Sequence, residues 1–422
     1  MPASAVRRSA SLTTLALGAT LLLVVLALIS LGMPGVPVSA LPAIHGEAPI
    51  SWSVAQTPSI TPPNRESTAY LTGVSCPARD LCLATGNTWD LDVKASSYYQ
   101  QPFIEHYDGH VWTLQHPSIP GAKPGKDRIP ENQLNGISCA TATWCVAVGE
   151  FSAISLATGL STGPVGAVVE VYGRGHWSTV RAPAGVTDLD AVSCPAPESC
   201  LVLGMSTKGN SVSYSYRSGR WWAAPFLSVI PGPDDGLRSL DCITMTACMA
   251  VGYASVGTAA SSRMFAERFD GSYWEPASYV TWSSGPTSSL SDISCEAPNN
   301  CLAVGAIAVG SWEGSRTPFD SVVESFSEAS WRAVLTTSTT GAAAVTFGAV
   351  DCVGADCIVL GIGEDALVDD TEQGGKWTSA SLALPRLTGS YLDSLACTQS
   401  SLCVAVGGTA NEPLVLLGSQ GR

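Results

Sequence analysis

Ile137-Ser138-Cys139, five residues of turn, then Cys145-Val146-Ala147-Val148-Gly149 is the stretch whose reading decides the fold. The same pattern returns at Cys76 and Cys82, Cys194 and Cys200, Cys242 and Cys248, Cys295 and Cys301, Cys352 and Cys357, and Cys397 and Cys403, seven times in all. A recurring unit of about fifty residues marks stacked supersecondary structures that cannot bury their faces alone. One strand ends at each first cysteine. Five positions before it stand Leu71, Leu134, Leu189, Leu237, Leu290, Phe347 and Leu392, and two before it Val74, Ile137, Val192, Leu240, Ile293, Val350 and Leu395. Positions five and two back have opposite parity on a regular strand, so apolar side chains are expected on both faces. Three before the cysteine the residue is almost always Gly, Ala or Ser, small enough for inner strands to crowd at an axis.

A second strand opens at the second cysteine. A third ends in an aromatic residue, and five residues later a tryptophan opens a fourth: Tyr107/Trp112, Tyr172/Trp177, Tyr216/Trp221, Phe269/Trp274 and Phe326/Trp331. Asp-Gly and similar pairs between them are hairpin-turn chemistry. The sixth repeat keeps Trp377 without the aromatic. The seventh runs out at Leu414–Arg422 with no tryptophan strand, and Ile50-Ser51-Trp52-Ser53-Val54 near the other end of the chain has the form of the missing piece. An N-terminal strand completing the last unit removes the open edges. The expected fold is all-β, a seven-bladed β-propeller of four-stranded antiparallel blades with one disulfide per blade, its ring closed by the N-terminal strand. Residues 48–422 resemble the repeat propellers of secreted bacterial proteins. Their turns Asp108-Gly109-His110-Val111-Trp112 and Asp270-Gly271-Ser272-Tyr273-Trp274 are loosely similar to those of sialidase-like (BNR-type) propellers.

Residues 1–40 are read as a signal peptide or N-terminal membrane anchor and 41–47 as a linker. Arg7 and Arg8 precede an apolar run, and Val38-Ser39-Ala40 is a small-residue cleavage site. Membrane contact is expected only through residues 13–33, and only if the leader stays uncleaved. The chain carries a net charge of −14, and the leader holds none of its acids. Such a surface excludes nucleic acid as a partner, because phosphate contacts need basic side chains. Fourteen cysteines behind an export signal read as disulfides and an extracytoplasmic location. Pairing within each repeat is expected to staple the first hairpin of a blade at one rim and hold its register. Loop entropy makes each such bridge worth about 2 kcal/mol. Zinc wants closer ligand spacing and histidines that recur with the cysteines, so no metal or other cofactor is expected.

Function is expected where the repeats differ. Loops joining strands two to three, and each blade to the next, open on one face, away from the cysteine turns. Trp89, Tyr98, Tyr99, Trp282 and Trp312 are read there as ligand-binding aromatics, suited to stacking on sugar rings or docking a protein. Acidic residues are placed on the same face: Glu364, Asp365, Asp369, Asp370 and Glu372 in one loop, Asp234 and Asp235 in another, Asp188 and Asp190 at a strand start. Four positions before each cysteine stand Thr72, Asn135, Asp190, Arg238, Ser291, Gly348 and Asp393, a candidate ring at the mouth of the axis. The leading expectation is an exported, monomeric, non-catalytic propeller that binds a glycan or an extracellular protein. The alternative is a secreted carbohydrate-active enzyme, a glycoside hydrolase or lyase, using Asp190, Arg238 and Asp393. The lone arginine in that ring leaves no sialidase arginine triad, and no Gly-x-Ser-x-Gly elbow serves a Ser/His/Asp mechanism.

Overall fold

The structure, a computed structural model, describes residues 50–420 except 61–66, 93–96, 121–127, 156–164, 227–235, 256–261, 278–286, 309–318, 338–344, 399–401 and one- or two-residue breaks at 59, 118, 120, 355, 364–365, 374–375, 385–386 and 388. The expected leader and linker, with Trp282, Trp312, Asp234, Asp235, Glu364 and Asp365, lie outside the described residues. Among the described residues all regular elements are strands, and no helix is long and apolar enough to cross a membrane.

Each repeat is a four-stranded antiparallel meander. Repeat three shows the pattern: Val186–Ala196, Ser199–Ser206, Ser211–Arg217 and Arg220–Ala223 pair in chain order. Repeats one and two are joined by a single parallel bridge, Gln100 to Glu131. In repeat seven the strands Tyr391–Cys397, Leu402–Gly408 and Pro413–Gln420 take Ile50–Val54 as their fourth, with Trp52 opposite Gly418. The register tryptophans meet their aromatics at ring-centroid distances of 4.9 Å (Tyr216–Trp221) to 5.3 Å (Tyr172–Trp177, Phe269–Trp274). In repeat six Glu372 stands opposite Trp377. Asp369, Asp370 and Glu372, expected in a loop, belong instead to the strand Leu367–Gln373, and both aspartates are buried. The pattern Leu367-Val368-Asp369-Asp370 hides a strand, because its polar residues face neighbouring sheets; Asp369 accepts the Trp52 indole N–H at 2.8 Å.

All seven expected disulfides are present: Cys76–Cys82, Cys139–Cys145, Cys194–Cys200, Cys242–Cys248, Cys295–Cys301, Cys352–Cys357 and Cys397–Cys403. Their Cα–Cα distances run from 3.9 Å to 4.2 Å. Cys352–Cys357 reaches the same span with one residue fewer, since its hairpin lacks the register shift that repeats one to five show beside the bridge. The expectation of simple rim staples needs correction in one respect. The second cysteine of every pair is buried, and it belongs to the packing between sheets as well as to its own hairpin. Cys82 packs in one cluster with Val404 and Val406 of repeat seven, Cys200 with Val146 and Val148, and Cys248 with Leu201 and Leu203. Cys301 joins Met249 and Val251, and Cys403 joins Ile358 and Leu360. Each sulfur thus serves as a small apolar group against the preceding repeat, because a disulfide spends no polar capacity that burial would waste.

A second irregularity is common to all seven first strands. Pairing breaks between positions five and three before the cysteine: Leu71/Gly73, Leu134/Gly136, Leu189/Ala191, Leu237/Ser239, Leu290/Asp292, Phe347/Ala349 and Leu392/Ser394. Each is a β-bulge with one extra residue, which resets the alternation of faces. The expectation from parity is therefore corrected. Leu134 and Ile137 point the same way, into one cluster with Leu83 and Ile104 of the preceding repeat. Leu189 and Val192 do likewise against Val146 and Val148. Hydrophobic clusters of this kind join every consecutive pair of repeats, and one joins Leu71 and Val74 to Val404, Val406 and Val415 of repeat seven. The small residue then faces the following repeat, where Gly73 comes close to the backbone of Gly136.

The bulge also explains the glycine that ends the repeated second-strand run. A Cβ on Gly149 would lie 2.0 Å from the Gln133 carbonyl oxygen, and one on Gly204 2.1 Å from that of Asp188. Backbone, not a movable side chain, is the obstacle. Gly204→Ala is expected to destabilise the protein by about 1–3 kcal/mol, read as a lower urea midpoint; an unchanged midpoint would contradict this account of the bulge.

Candidate functional site

The first strands of successive repeats lie side by side, and that of repeat one also lies against that of repeat seven. Their bulge residues are aimed inward. Thr72, Asn135, Asp190, Arg238, Ser291 and Asp393 line two cavities at once, where a funnel of about 1100 Å³ meets a narrower axial space of about 330 Å³. Gly348, at the equivalent position of repeat six, lines only the funnel. The funnel wall above it comes from residues two positions earlier, including Gln133, Asp188, Ser289 and Tyr391, and from the far ends of the second strands, including Glu150 and Tyr253.

Electrostatically the funnel is acidic. Desolvation, then the neighbouring Asp188 carboxylate, holds Asp190 up to about 7, against the pull of Arg238. Enclosure by the channel walls does the same to Asp393, also to about 7. Burial raises Asp188 and Glu150 as well. Tyr391, though exposed, is pushed up to about 12 by desolvation and then by the Asp393 carboxylate. Arg238 makes no contact ion pair among the described residues. It lies 5.3 Å over the Tyr253 ring and donates to that hydroxyl at 3.4 Å. Arg238 is thus held by an aromatic ring rather than by contact with an aspartate.

Of the expected aromatics, Trp89 sits in the strand Leu81–Asp92 and Tyr98 and Tyr99 in Ser97–Tyr107, so these lie on extended strands rather than free loops. Trp89 is 38% exposed. It hydrogen-bonds Tyr70, which is close enough to Asp393 and Tyr391 to act on them electrostatically. Neither Trp89 nor Tyr70 itself lines the funnel.

The narrow space holds residues that the sequence reading passed over. The side chain just before each first cysteine accepts the backbone N–H of the first cysteine in the next repeat. Ser75 takes Cys139, Ser138 takes Cys194, Ser193 takes Cys242 and Ser294 takes Cys352, each at 3.0 Å. Asp241 takes Cys295 at 2.8 Å and Asp351 takes Cys397 at 2.6 Å, while their other oxygens bind the N–H of Cys242 and Cys352 in their own repeats. Asp292, the exception among the small residues three before the cysteine, clasps Val350 N–H at 3.0 Å and Ile293 N–H at 2.9 Å. Ala396 breaks the series, and Ser394 accepts from Val74 N–H at 3.2 Å instead. A column of six serines and aspartates before the cysteines was the signal available in the sequence. Desolvation outweighs these bonds and raises Asp241, with Asp292 and Asp351 reaching about 7. Their oxygens are spent on backbone. Among the described residues no group of three or more His, Cys, Asp or Glu is placed to hold a metal ion.

A further set of acids is sealed between sheets. Glu105, Glu170, Glu267 and Glu324 occupy one register position of the third strands and are fully buried. Glu170 accepts the Thr179 hydroxyl, whereas Glu105 faces Leu114 and Glu324 faces Ala333 across the strand pair. Both oxygens of Glu105 and Glu324 lack a hydrogen-bond partner, and desolvation pushes them to about 8 and about 7.

No protein-family model matches this chain, and no curated protein matches its sequence. Among solved structures, YCF48 bound to D1 peptide is similar with a TM-score of 0.51 at 14% identity, over 88% of this chain and 97% of that one. The GH74 xyloglucanase from Xanthomonas campestris gives 0.50 at 13% identity, over 87% of this chain and 53% of that one. The α-L-arabinofuranosidase Arb93A from Fusarium graminearum gives 0.45 at 10% identity, over 89% and 98%. The likeness is one of fold, and the chain is a β-propeller.

Raised carboxyls fix the sign of the pH response. Native Glu105, Asp190, Asp292, Glu324, Asp351 and Asp393 keep protons that the unfolded chain has released above about pH 4. Stability therefore falls as pH rises from about 4 to about 8, where the native groups ionise. Calorimetry at pH 5, 6, 7 and 8 is expected to show a falling Tm, partly flattened by Glu105→Gln. A Tm that climbs across this range would contradict the assignment.

Proposed function

We propose that this chain is an exported seven-bladed β-propeller, closed by its N-terminal strand, that binds a ligand without catalysis in the funnel on its variable-loop face. The cyclic succession of inter-repeat clusters, including the one between repeats seven and one, supports the blade count and the closure. Seven disulfides accord with an oxidising compartment, and residues 1–40 supply the export leader or anchor, with residues 13–33 as the membrane contact of an uncleaved form. The observation that carries the binding role is the funnel of about 1100 Å³, whose throat presents Asp190 and Asp393 with no protein hydrogen-bond partner among the described residues. A concave site with a few convergent polar groups is the usual form of a ligand pocket. The ligand is a glycan or an extracellular protein, with Trp89, Tyr98, Tyr99, Trp282 and Trp312 as its outer aromatic contacts, and the protein acts as a monomer.

One observation favours a second reading, a carbohydrate-active enzyme: two carboxyls near neutrality lining one cavity are chemically able to transfer protons. Glycoside hydrolysis, however, needs environments that push its two carboxyls apart, one acid and one ionised. Here Asp190 and Asp393 are pushed the same way. The fold itself is shared by a peptide-bound protein and a xyloglucanase, so it favours neither.

Two experiments test this. Trp52→Ala is expected to cost about 3–5 kcal/mol by removing a buried ring from the last sheet; a loss below about 1 kcal/mol would argue against closure by that strand. Glycan and peptide arrays, each hit followed by product analysis, are expected to give binding without turnover. Ser291→Trp, which fills the throat, should abolish that binding. Product formation lost in Asp190→Asn or Asp393→Asn would establish the enzyme instead.

A further inference from the structure

Asp190 and Asp393 are the channel acids to which no described residue donates a hydrogen bond, and of the two only Asp190 has further carboxylates acting on it. Asp241, Asp292 and Asp351 are clasped by backbone N–H groups. Asp188 accepts the Thr187 hydroxyl at 2.9 Å, and Glu150 accepts the Gln133 side-chain amide. Asp190 lies deep at the junction of both cavities, and no described residue donates a hydrogen bond to it. Two more carboxylates, Asp188 and Glu150, act on it from the same wall, and Glu131 acts in turn on Glu150. The sole cation lining this funnel among the described residues is Arg238, which is engaged with the Tyr253 ring rather than paired with them. Above neutral pH, where Asp190 ionises, this wall carries uncompensated negative charge around an unpartnered acceptor.

That arrangement sorts ligands by charge. An anion meets repulsion, and a neutral sugar supplies hydroxyls but no charge to offset the wall. A single metal ion is poorly served, because the carboxylates do not converge. A cation on a long stem fits: its head reaches Asp190 while its body passes Asp188 and Glu150 higher on the wall. Arg238 on Tyr253 shows how this wall already accommodates a guanidinium, through a ring face.

Building on the funnel as the binding site, we propose that it receives a lysine or arginine side chain of a basic polypeptide segment, with Asp190 as the deep acceptor and Arg238 as a competing internal cation. Binding supplies the charge-assisted hydrogen bond that Asp190 lacks in the free protein.

The test uses the full chain and fluorescein-labelled hexalysine followed by anisotropy, with the fully acetylated peptide and neutral xylohexaose as competitors. Saturable binding is expected, displaced by unlabelled hexalysine and by neither competitor. Asp190→Asn should weaken it about tenfold or more, and Arg238→Ala should tighten it severalfold, a gain that misfolding cannot mimic. Glu198→Gln, the same charge change in the exposed cysteine turn of repeat three, should leave it unchanged. Equal losses in Asp190→Asn and Glu198→Gln would reduce the effect to overall charge and overturn the proposal. Array ligands blocked by Ser291→Trp, with no hexalysine binding, would overturn the cation while keeping the funnel. No array ligand and no hexalysine binding would remove both.

Discussion

One extra residue in each first strand sets the geometry of the whole molecule. The bulge turns two apolar side chains, such as Leu189 and Val192, onto a single face, where they fill the gap to the preceding sheet. It leaves a small residue toward the next sheet and points the inserted residue at the axis. It also brings the opposing strand so close that only glycine fits, as the 2.1 Å approach at Gly204 shows. Packing between blades and the lining of the channel are therefore consequences of the same backbone irregularity. Thr, Asn, Asp, Arg, Ser and Gly occupy the equivalent bulge positions, so the channel's chemistry varies from repeat to repeat, while Thr72 and Asn135 also donate to the Leu134 and Leu189 carbonyls of the next repeat at 2.8 Å and 3.0 Å.

Acids in this protein do two different kinds of work. Some tie successive repeats together: the carboxyls of Asp241, Asp292 and Asp351 each bridge a backbone N–H of their own repeat and one of the next. A carboxyl is better suited than a hydroxyl to this, because its two oxygens serve two strands at once. Others, Asp190 and Asp393, face the open funnel with their acceptor capacity unspent. Burial raises both groups, so a shifted ionisation does not by itself separate scaffold from site. The hydrogen-bond partners do.

Much of the fold was legible in the sequence because repetition multiplies a weak signal. Seven cysteine pairs and the aromatic-to-tryptophan spacing gave the four-stranded unit, and Trp52 near the front gave the strand that pairs with Pro413–Gln420. The bulge was not legible as such, since strand parity assumes a regular ladder and the shift appears only in pairing. Spacing paired Cys200 with Cys194 and Cys248 with Cys242, but not the burial of their second sulfurs against the preceding repeat, which depends on how the sheets stack. Asp369 and Asp370 misled because adjacent acids normally mark solvent, whereas here one meets the Trp52 indole and the other lies between sheets. The ring of Asp190, Arg238 and Asp393 was found by aligning the repeats, but the partners that distinguish those three, Tyr253, Glu150 and Asp188, come from other positions and other strands.

Ala396 lies where the other repeats place a serine or aspartate before the cysteine, so the contact between repeats seven and one lacks the clasp found at the six other junctions. The same repeat waits for Ile50–Val54, the first of the described strands to be made, to pair with Pro413–Gln420, the last. Synthesis order and bonding thus converge on one seam. The middle repeats can pair their strands as soon as each is made, but this joint has no partner until Pro413–Gln420 exists. Among the described strands this seam is the pairing with the greatest separation along the chain, held by Ser394 and a shared hydrophobic cluster in place of the clasp used elsewhere.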